Sequence, residues 1–367
     1  MKRYDFTLSR ISVLLASGAW TERAMRRRLH KHVGRIAQAS QRNLVRNLIA
    51  EFDGRLRPSP LELTRWLRNS AHFALMAKSV ARRNLRLPLV LTPPAFSPLP
   101  SFEGLDVPHI RTSGDLAKWL GISMGHLDWF ADSKRQHASV TETRLQHYKF
   151  FLMQKSSGRP RLIEAPKAST KHIQKKILHE ILDHVPVDDR AHGFVKGRSC
   201  LSSASAHASE VCVLAMDMRN FFHSIEEWRI NRLFRSIGYP DRIAGLLTRL
   251  CMTTTPAAVF SENPEARAFD WMERKLLSQP HLPQGAPTSP ALANLIALRL
   301  DRRLAGLAAR YDANYTRYAD DWRSPETQYS PRGFIHSEAR LKPLRVTKAS
   351  RCIPRKPGSC IRTNVRV

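Results

Sequence analysis

The most constraining stretch of this 367-residue chain is Tyr318, Ala319, Asp320 and Asp321, in which two carboxylates stand side by side. The residues before it, from Tyr311 to Tyr318, alternate aromatic and polar types enough to predict a strand that runs into a tight turn. Because successive side chains of a strand point to opposite faces, both acids can face one site only from the turn. Neighbouring carboxylates repel each other, so a buried pair usually holds a cation. A solvated loop with two acids is the alternative interpretation.

The balance of charge predicts a polyanionic partner. The chain has 60 Lys and Arg residues against 31 Asp and Glu, a formal net charge of +29 and a pI of about 10.9. Nucleic acid is therefore the first candidate partner. A hydrophobic fraction of 42% indicates a globular chain, and the length allows two or three domains.

Targeting and redox features predict a cytoplasmic protein. The five cysteines are scattered, with no C-x-x-C pair and no zinc-type spacing to histidine, which suits a reducing compartment. The apolar run from Ile11 to Ala16 is short and follows Asp5 and Arg10, which argues against a signal peptide. No apolar run approaches the length of a membrane-spanning helix.

The first 92 residues form a predicted basic helical extension. Apolar residues there recur at three-to-four spacing with arginines between them, as in Leu29 and Val33, then Leu44 and Leu48. This face is either a surface for nucleic acid or a partner, or an ordinary solvated helix face. Residues 93–111 follow and are rich in proline, which predicts a stiff linker and a domain boundary.

A β-hairpin is predicted beyond the linker. Tyr148 to Gln154 and Arg161 to Ala165 have strand-like sequences, and the serines and glycine between them are turn residues. A rigid hairpin that carries Lys155 and Arg161 can cover a triphosphate or a template backbone. An ordinary surface charge is the alternative interpretation, above all for the lysine, whereas Arg161, before an apolar run, is the first candidate.

Two further segments contain candidate functional residues. The loop at residues 191–199 combines two glycines with Lys196 and Arg198, a composition that lets a backbone approach phosphate. Val211 to Met218 is an apolar strand of the buried kind with one acid, Asp217. An acid in such a strand is costly unless it is paired, hydrogen-bonded or metal-bound, so Asp217 is a candidate ligand.

The segment from Leu282 to Pro290 is a predicted rigid loop. It holds three prolines and a glycine, and Ala291 to Leu304 then has the pattern of a helix. Such rigidity suits a residue that must lie flat beneath a base pair.

Taken in order, these segments resemble the motifs of reverse transcriptases, and within them those of the bacterial retron type. Asp217 with Phe221 and Phe222 resembles the first palm acid motif of that family. The loop from Gln284 to Pro290 resembles its Gln-Gly-x-x-x-Ser-Pro loop, and Tyr318 to Asp321 resembles its Tyr-x-Asp-Asp turn.

The extent of the resemblance implies a domain organisation. It covers residues 112–321, and the 191–199 loop with the basic extension is most similar to retron enzymes of myxobacteria. The implied fold is α+β, a right-hand polymerase. Its expected parts are the basic helical extension (1–92), a Pro-rich linker (93–111), a fingers-like region (112–210), a palm (211–321) and a tail (322–367).

By resemblance, the chain is an RNA-directed DNA polymerase that uses two Mg²⁺ ions. Asp217, Asp320 and Asp321 are the implied catalytic and metal-binding acids, and the carbonyl of Met218 is an implied further ligand. Two-metal nucleotidyl transfer needs such oxygen ligands.

The resemblance also assigns a nucleotide site. Phe222 matches the position whose ring blocks a ribose 2′-hydroxyl and so selects deoxynucleotides. Lys155 and Arg161 would grip the triphosphate, while Gln284 and Gly285 would line the base pair.

The implied partners are a structured noncoding RNA that serves as template and primer, dNTPs, and a defence effector protein in resistance to phage. His207, Arg198 and Lys196 are the expected RNA contacts. One departure is that Ser203 stands where the retron pattern has Asn. A non-catalytic RNA-binding derivative, or an enzyme of the group II intron or diversity-generating type, are the alternatives.

The tail of residues 322–367 leads to a further expectation. It is basic, interrupted by five prolines and without hydrophobic periodicity, whereas the family's palm continues with a strand and then a helical thumb. After the Asp321 codon, reading one nucleotide back turns Trp322 into Leu, and the following shifted codons permit a family-like continuation. We therefore expect a reading-frame shift after Asp321, a missing supporting strand, a missing thumb, and a chain that is poorly stable and inactive alone.

Overall fold

The computed structural model describes residues 2–35, 37–53, 57–85, 87, 94–140, 142–154, 160–208, 210, 213–325, 346–352 and 362–365. The chain divides into two compact units, Met1–Ala95 and Phe96–Val367. None of the helices in these described ranges is both long enough and apolar enough to cross a membrane.

In the described part of the first unit, five helices surround an apolar core. Leu29, Leu44 and Leu48 are fully buried there, whereas Arg26 and Arg27 on the opposite face are exposed. The three-to-four spacing of the leucines therefore sets the inward stripe of each helix. The helices are α1 (Lys2–Ala16), α2 (Glu22–Val33), α3 (Gln38–Glu51), α4 (Pro60–Arg68) and α5 (Ala71–Arg82).

The second unit mixes helices and strands around a larger core. Ile177, Phe234 and Leu247 are fully buried in it, and each such side chain stabilises the fold by about 1.5–3 kcal/mol. Its helices are α6 (Ser113–Leu120), α7 (Met124–Phe130), α8 (Ala168–Glu180), α9 (Cys200–Ser205), α10 (Glu227–Ile237), α11 (Asp241–Leu250), α12 (Ala257–Glu262), α13 (Trp271–Leu277) and α14 (Thr288–Ala309). Its strands are β1 (Tyr148–Gln154), β2 (Pro160–Pro166), β3 (Val213–Met218), β4 (Thr316–Tyr318), β5 (Asp321–Pro325), β6 (Val346–Cys352) and β7 (Arg362–Val365).

The predicted linker at 93–111 includes the boundary between the two units. From Phe96 onward it belongs to the second unit, where Ser97 N donates to Gly238 O at 2.8 Å and Leu99 N donates to Ser236 O at 3.0 Å. The prolines stiffen this segment, but its backbone bonds and its apolar side chains attach it to the end of α10.

The predicted hairpin is present. β1 and β2 pair antiparallel from Tyr148 opposite Pro166 to Gln154 opposite Pro160. Lys155, in the connection at 155–159, lies outside the described residues.

Five strands form one antiparallel sheet in the order β4, β5, β3, β6, β7. In the central strand β3, Met216 and Met218 are buried while Asp217 between them is exposed. The two-residue period of a strand thus places the acid on the face away from the core.

The expectation that the strand after Asp321 is missing is wrong. β5 begins at Asp321 and pairs with both β4 and β3. Backbone groups make the ladder, so a segment without a family-like side-chain pattern still pairs with its neighbours. The expected absence of a thumb concerns residues that lie largely outside the described ranges, and the reading-frame shift stays a prediction about the gene.

Candidate active site

The two adjacent acids lie at a hairpin turn, as the sequence predicts. Tyr318 and Asp321 are paired residues of β4 and β5, which leaves Ala319 and Asp320 as the two-residue connection. Ala319 has a φ of +59°, in the left-handed region. Two-residue hairpins with a positive φ at the first turn residue match the right-handed twist of their strands.

The sheet register brings a third acid to this turn. Asp217 of β3 and Asp321 of β5 are Cα partners, and Met218 N donates a hydrogen bond to Asp320 O at 3.0 Å. Three acids from two separate chain segments therefore occupy neighbouring backbone positions at one end of the sheet. The resemblance to reverse transcriptases implies this convergence, and the register of β3 against β5 is its physical cause.

This arrangement fits a hard divalent cation. Asp217 is exposed and Asp320 is half-buried, so water and ligands have access to the carboxyl end of β3. Carboxylate oxygens are the ligands that Mg²⁺ prefers.

A buried arginine supports the turn through a hydrogen bond to its backbone. Arg317 is fully buried and makes a two-pronged ion pair with Asp301 of α14, with Nε to Oδ1 and Nη2 to Oδ2 each at 2.8 Å. Its Nη1 donates to Ala319 O and to Asn294 Oδ1, both at 2.9 Å. Burial opposes the charge, but the hydrogen bonds and charge of Asp301 outweigh it and raise the pKa of Arg317.

The loop at 191–199 packs against the same turn. A Cβ on Gly193 would lie 2.3 Å from Ala319 N, so only glycine fits at this contact. Asn294 Nδ2 donates to Gly193 O at 2.8 Å, and His192 N donates to Arg317 O at 2.8 Å. The first glycine of this loop therefore approaches the backbone of the turn, whereas the sequence suggested an approach to phosphate.

Comparison with known proteins identifies the kind of domain that contains this site. Residues 153–323 match the family described as reverse transcriptase (RNA-dependent DNA polymerase), a range that includes all three acids. The chain carries a reverse transcriptase domain. It is similar to reverse transcriptases of the retron type, including two from a myxobacterium.

Three retron reverse transcriptases show how much of the chain is similar to known proteins. The retron Mx65 reverse transcriptase of Myxococcus xanthus is 40% identical over 59% of this chain and 47% of its own length. The retron Mx162 reverse transcriptase of the same organism is 36% identical over 60% of this chain and 45% of its own. The retron Ec86 reverse transcriptase of Escherichia coli is 32% identical over 52% and 54%. The chain thus spans about half the length of the curated relatives it matches.

Three residues of the reverse transcriptase domain are expected to contact RNA. Two of them, Arg198 and His207, form hydrogen bonds with other residues of the domain. Arg198 Nη1 donates to Asp188 O and Ala191 O, each at 2.8 Å, and its Nη2 pairs with Asp189 at 2.9 Å. These bonds hold the 191–199 loop in shape. Lys196, by contrast, is exposed.

His207 is the second of these, and its contact with RNA stays a prediction. It is buried, and its Nε2 lies 2.7 Å from Thr316 Oγ1. Ser203, also buried, lies 3.1 Å from the same hydroxyl. Because Thr316 begins β4, the segment after α9 supports the strand that leads into the turn.

The aromatic residues after Asp217 divide into a buried and a partly open ring. Phe221 is buried and lies beneath the Arg317 guanidinium, 5.8 Å from its ring centre. Phe222 is half-buried, with ring centres 5.6 Å from Phe221 and 6.3 Å from the exposed Phe194. A ring in this position has a free surface for a ligand.

The Gln284 loop docks on the hairpin. Glu164 N donates to Gln284 O at 2.9 Å. Gly285 has a φ of +137°, and a Cβ there would lie 3.0 Å from Glu164 O. Arg161 is exposed on the same strand β2. The predicted nucleotide-site residues Arg161, Gln284 and Gly285 thus occupy adjoining segments.

Sequence reasoning missed Arg317, Asp301 and Asn294. The available signal was Asp301 in the apolar periodicity of α14, because it stands three residues before the buried Leu304 and four after the buried Ala297. An acid on an inward stripe needs a buried partner.

Proposed function

We propose that this chain is an RNA-directed DNA polymerase of the retron type, which copies a structured noncoding RNA into RNA-linked single-stranded DNA. The observation that carries the proposal is the pairing of Asp217 with Asp321 beside the Met218 to Asp320 hydrogen bond. In this proposal Asp217, Asp320 and Asp321 are the catalytic and metal-binding acids, with the Met218 carbonyl as a further ligand.

Oxygen ligands at this turn favour two Mg²⁺ ions, which would activate the attacking hydroxyl and offset the charge of the triphosphate. The chain itself has to fix the separation of its acids. Asp217 is held by β3, whereas Asp320 and Asp321 are held by the turn that Arg317 and Gly193 support. A displacement of about 1 Å at a catalytic group can cost about 100-fold in rate, so these supports belong to the proposed mechanism.

The proposed nucleotide site lies around Phe222. Its partly open ring would exclude a ribose 2′-hydroxyl and so select deoxynucleotides. Arg161, with Lys155 of the neighbouring connection, would contact the triphosphate, and Gln284 with Gly285 would lie under the base pair. The exposure of Arg161 and the docking of the Gln284 loop on β2 support this assignment.

The proposed RNA surface is electrostatic. The net charge of +29 and the exposed Lys196 support binding to phosphates, which depends strongly on salt. A role in defence against phage, together with an effector protein, is the biological setting we propose from the retron relatives. The same charge would equally suit a non-catalytic RNA-binding protein.

The test combines synthesis with binding. The purified chain is incubated with the structured RNA encoded beside its gene, dNTPs and Mg²⁺, and RNA-linked DNA is detected by its sensitivity to nucleases. The proposal predicts RNA-linked product, lost in Asp217→Asn. Tight, salt-sensitive RNA binding without any product in the wild-type chain would favour the non-catalytic alternative.

A further inference from the structure

A second cluster of metal-binding side chains lies apart from the three acids. Glu164 on β2, His223 after Phe222, and His281 before the Gln284 loop each present a ligand atom, and these atoms all lie within 4.8 Å of one another. Glu164 and His281 are completely buried, and His223 is half-buried. Three distant parts of the sequence thus converge on one point inside the second unit.

The two buried residues of the cluster, Glu164 and His281, are each oriented by a hydrogen bond to a residue outside it. His281 Nδ1 donates to Gln279 O at 2.6 Å, which leaves Nε2 pointing at Glu164 Oε2, 2.9 Å away. The other carboxylate oxygen, Oε1, accepts from Thr255 Oγ1 at 2.7 Å. A histidine that donates one ring N–H to a carbonyl, beside a hydrogen-bonded carboxylate, is the usual second layer around a metal site.

The metal-free state of this cluster is an ion pair. With Nδ1 bonded to a carbonyl and Nε2 facing a carboxylate, His281 carries two protons, and a cation would displace the one on Nε2. Two charged groups taken out of water are stabilised by each other only in part. A divalent cation in place of that single proton would compensate the buried carboxylate with more charge.

We propose that Glu164, His223 and His281 bind one transition-metal ion, with zinc as the best match. Two imidazoles and one carboxylate form a three-ligand set that zinc commonly uses, with a fourth position left for water. This ligand set contrasts with the acids of the turn, which offer oxygen only and suit Mg²⁺.

The required movement is small. Zinc ligands at about 2.0–2.1 Å from the metal in a tetrahedron are roughly 3.3 Å apart. Because the ligand atoms lie within 4.8 Å of one another, no separation has to shrink by more than about 1.5 Å. The His281 Nε2 to Glu164 Oε2 distance of 2.9 Å would lengthen by about 0.4 Å, and His223 would make the larger movement.

The position of the cluster gives the metal a structural task. Glu164 N is bonded to Gln284 O, and His223 directly follows Phe222. A metal here would join β2, the segment after Asp217 and the loop that begins at Leu282. It would therefore stabilise the second unit whether or not the chain polymerises DNA.

The test measures binding directly. The full-length chain is freed of metal with a chelator and titrated with Co²⁺, then with Zn²⁺ against a chromogenic competitor, in excess Mg²⁺ so that oxygen-only sites are filled. We expect one equivalent of bound metal, the visible absorption of tetrahedral Co²⁺, and a rise in Tm with Zn²⁺.

Variants decide whether these three residues are the ligands. His223→Ala keeps the buried Glu164 and His281 pair and should fold, yet it should bind Zn²⁺ at least about 100-fold more weakly and lose the Tm rise. Glu164→Gln should behave in the same way, and the exposed His126→Ala and the turn variant Asp217→Asn should bind as the wild type does. Absence of stoichiometric binding in the wild type, or equal binding by His223→Ala, would overturn the proposal and leave an ion pair only.

Discussion

Arg317 and Asp301 form a two-pronged ion pair in which both side chains are fully buried, and the same guanidinium donates to the carbonyl of Ala319 in the acidic turn. A strand residue and a helix residue therefore fix the backbone on which Asp320 stands. A buried pair of this kind is costly to break, because removal of one partner leaves the other charge uncompensated.

The Arg317 anchor should matter for both stability and turnover. Arg317→Met should lower the free energy of unfolding by about 3–5 kcal/mol, because it leaves the Asp301 charge buried alone. Arg317→Lys keeps the charge but lacks the planar fork, so it should fold with a smaller loss and show reduced kcat with little change in the KM for dNTPs. Urea unfolding and steady-state kinetics measure the two effects, with exposed Arg302→Lys as the control. An unchanged kcat in a folded Arg317→Lys would remove the positioning role.

Gly193 offers a test by steric contact. Gly193→Ala places a methyl group 2.3 Å from Ala319 N, so the loop or the turn must move by roughly 1 Å, and synthesis should fall about 100-fold. Gly306→Ala is the matched control, since nothing lies within 4 Å of a Cβ there. That helical substitution should stabilise the chain by up to about 1 kcal/mol. Equal rates for the two variants in a primer-extension assay would show that the contact has no role.

Phe222 should control the choice of sugar. Phe222→Ala removes the ring that we place beside the 2′ position, and incorporation of ribonucleotides relative to deoxynucleotides should rise roughly 10-fold or more. Single-nucleotide extension with matched rNTP and dNTP pairs measures the ratio, with exposed Phe6→Ala as the control. An active variant with the wild-type ratio would assign the selection to another residue.

Stability should fall in mild acid because of His147. Burial, followed by the charges of His137 and Lys167, lowers the pKa of His147 from 6.5 to about 3. The unfolded chain therefore takes up a proton near pH 6.5 that the folded chain refuses, so stability is complete above that pH and declines as pH falls toward 3. Urea midpoints between pH 7 and pH 4 should decline less steeply in His147→Phe than in the wild type, and exposed His126→Phe is the matched control. Parallel declines in wild type and His147→Phe would contradict the assignment.

The parts of the site that sequence predicts are those with local signals. The acidic turn and the β1–β2 hairpin follow from short-range alternation and turn residues. The apolar sequence around Asp217 predicts a buried strand, whereas the side chain of Asp217 is exposed. Arg317 is different. Beside Tyr318 it has the sequence appearance of a solvated cation, and its partner Asp301 stands next to Arg302 and Arg303. Only the tertiary packing of β4 against α14 reveals the pair.

Residue type alone does not reveal the internal partner of a polar side chain. His207 and Arg198 carry the chemistry of RNA contacts, yet Thr316 engages the first, and loop carbonyls with Asp189 engage the second. The same limit hides Glu164 and His281, because 117 positions separate them in sequence.

The most direct test of the central claim is the comparison of Asp217→Asn with Asp312→Asn, an exposed acid in the connection before β4. RNA-linked DNA synthesis and RNA affinity are measured on the same preparations with the adjacent structured RNA, dNTPs and Mg²⁺. Because the acids are proposed to bind metal while basic residues bind phosphate, Asp217→Asn should abolish synthesis and leave RNA affinity within a few-fold of the wild type. Asp312→Asn should retain both properties. Continued synthesis by Asp217→Asn would contradict the assignment of the catalytic site.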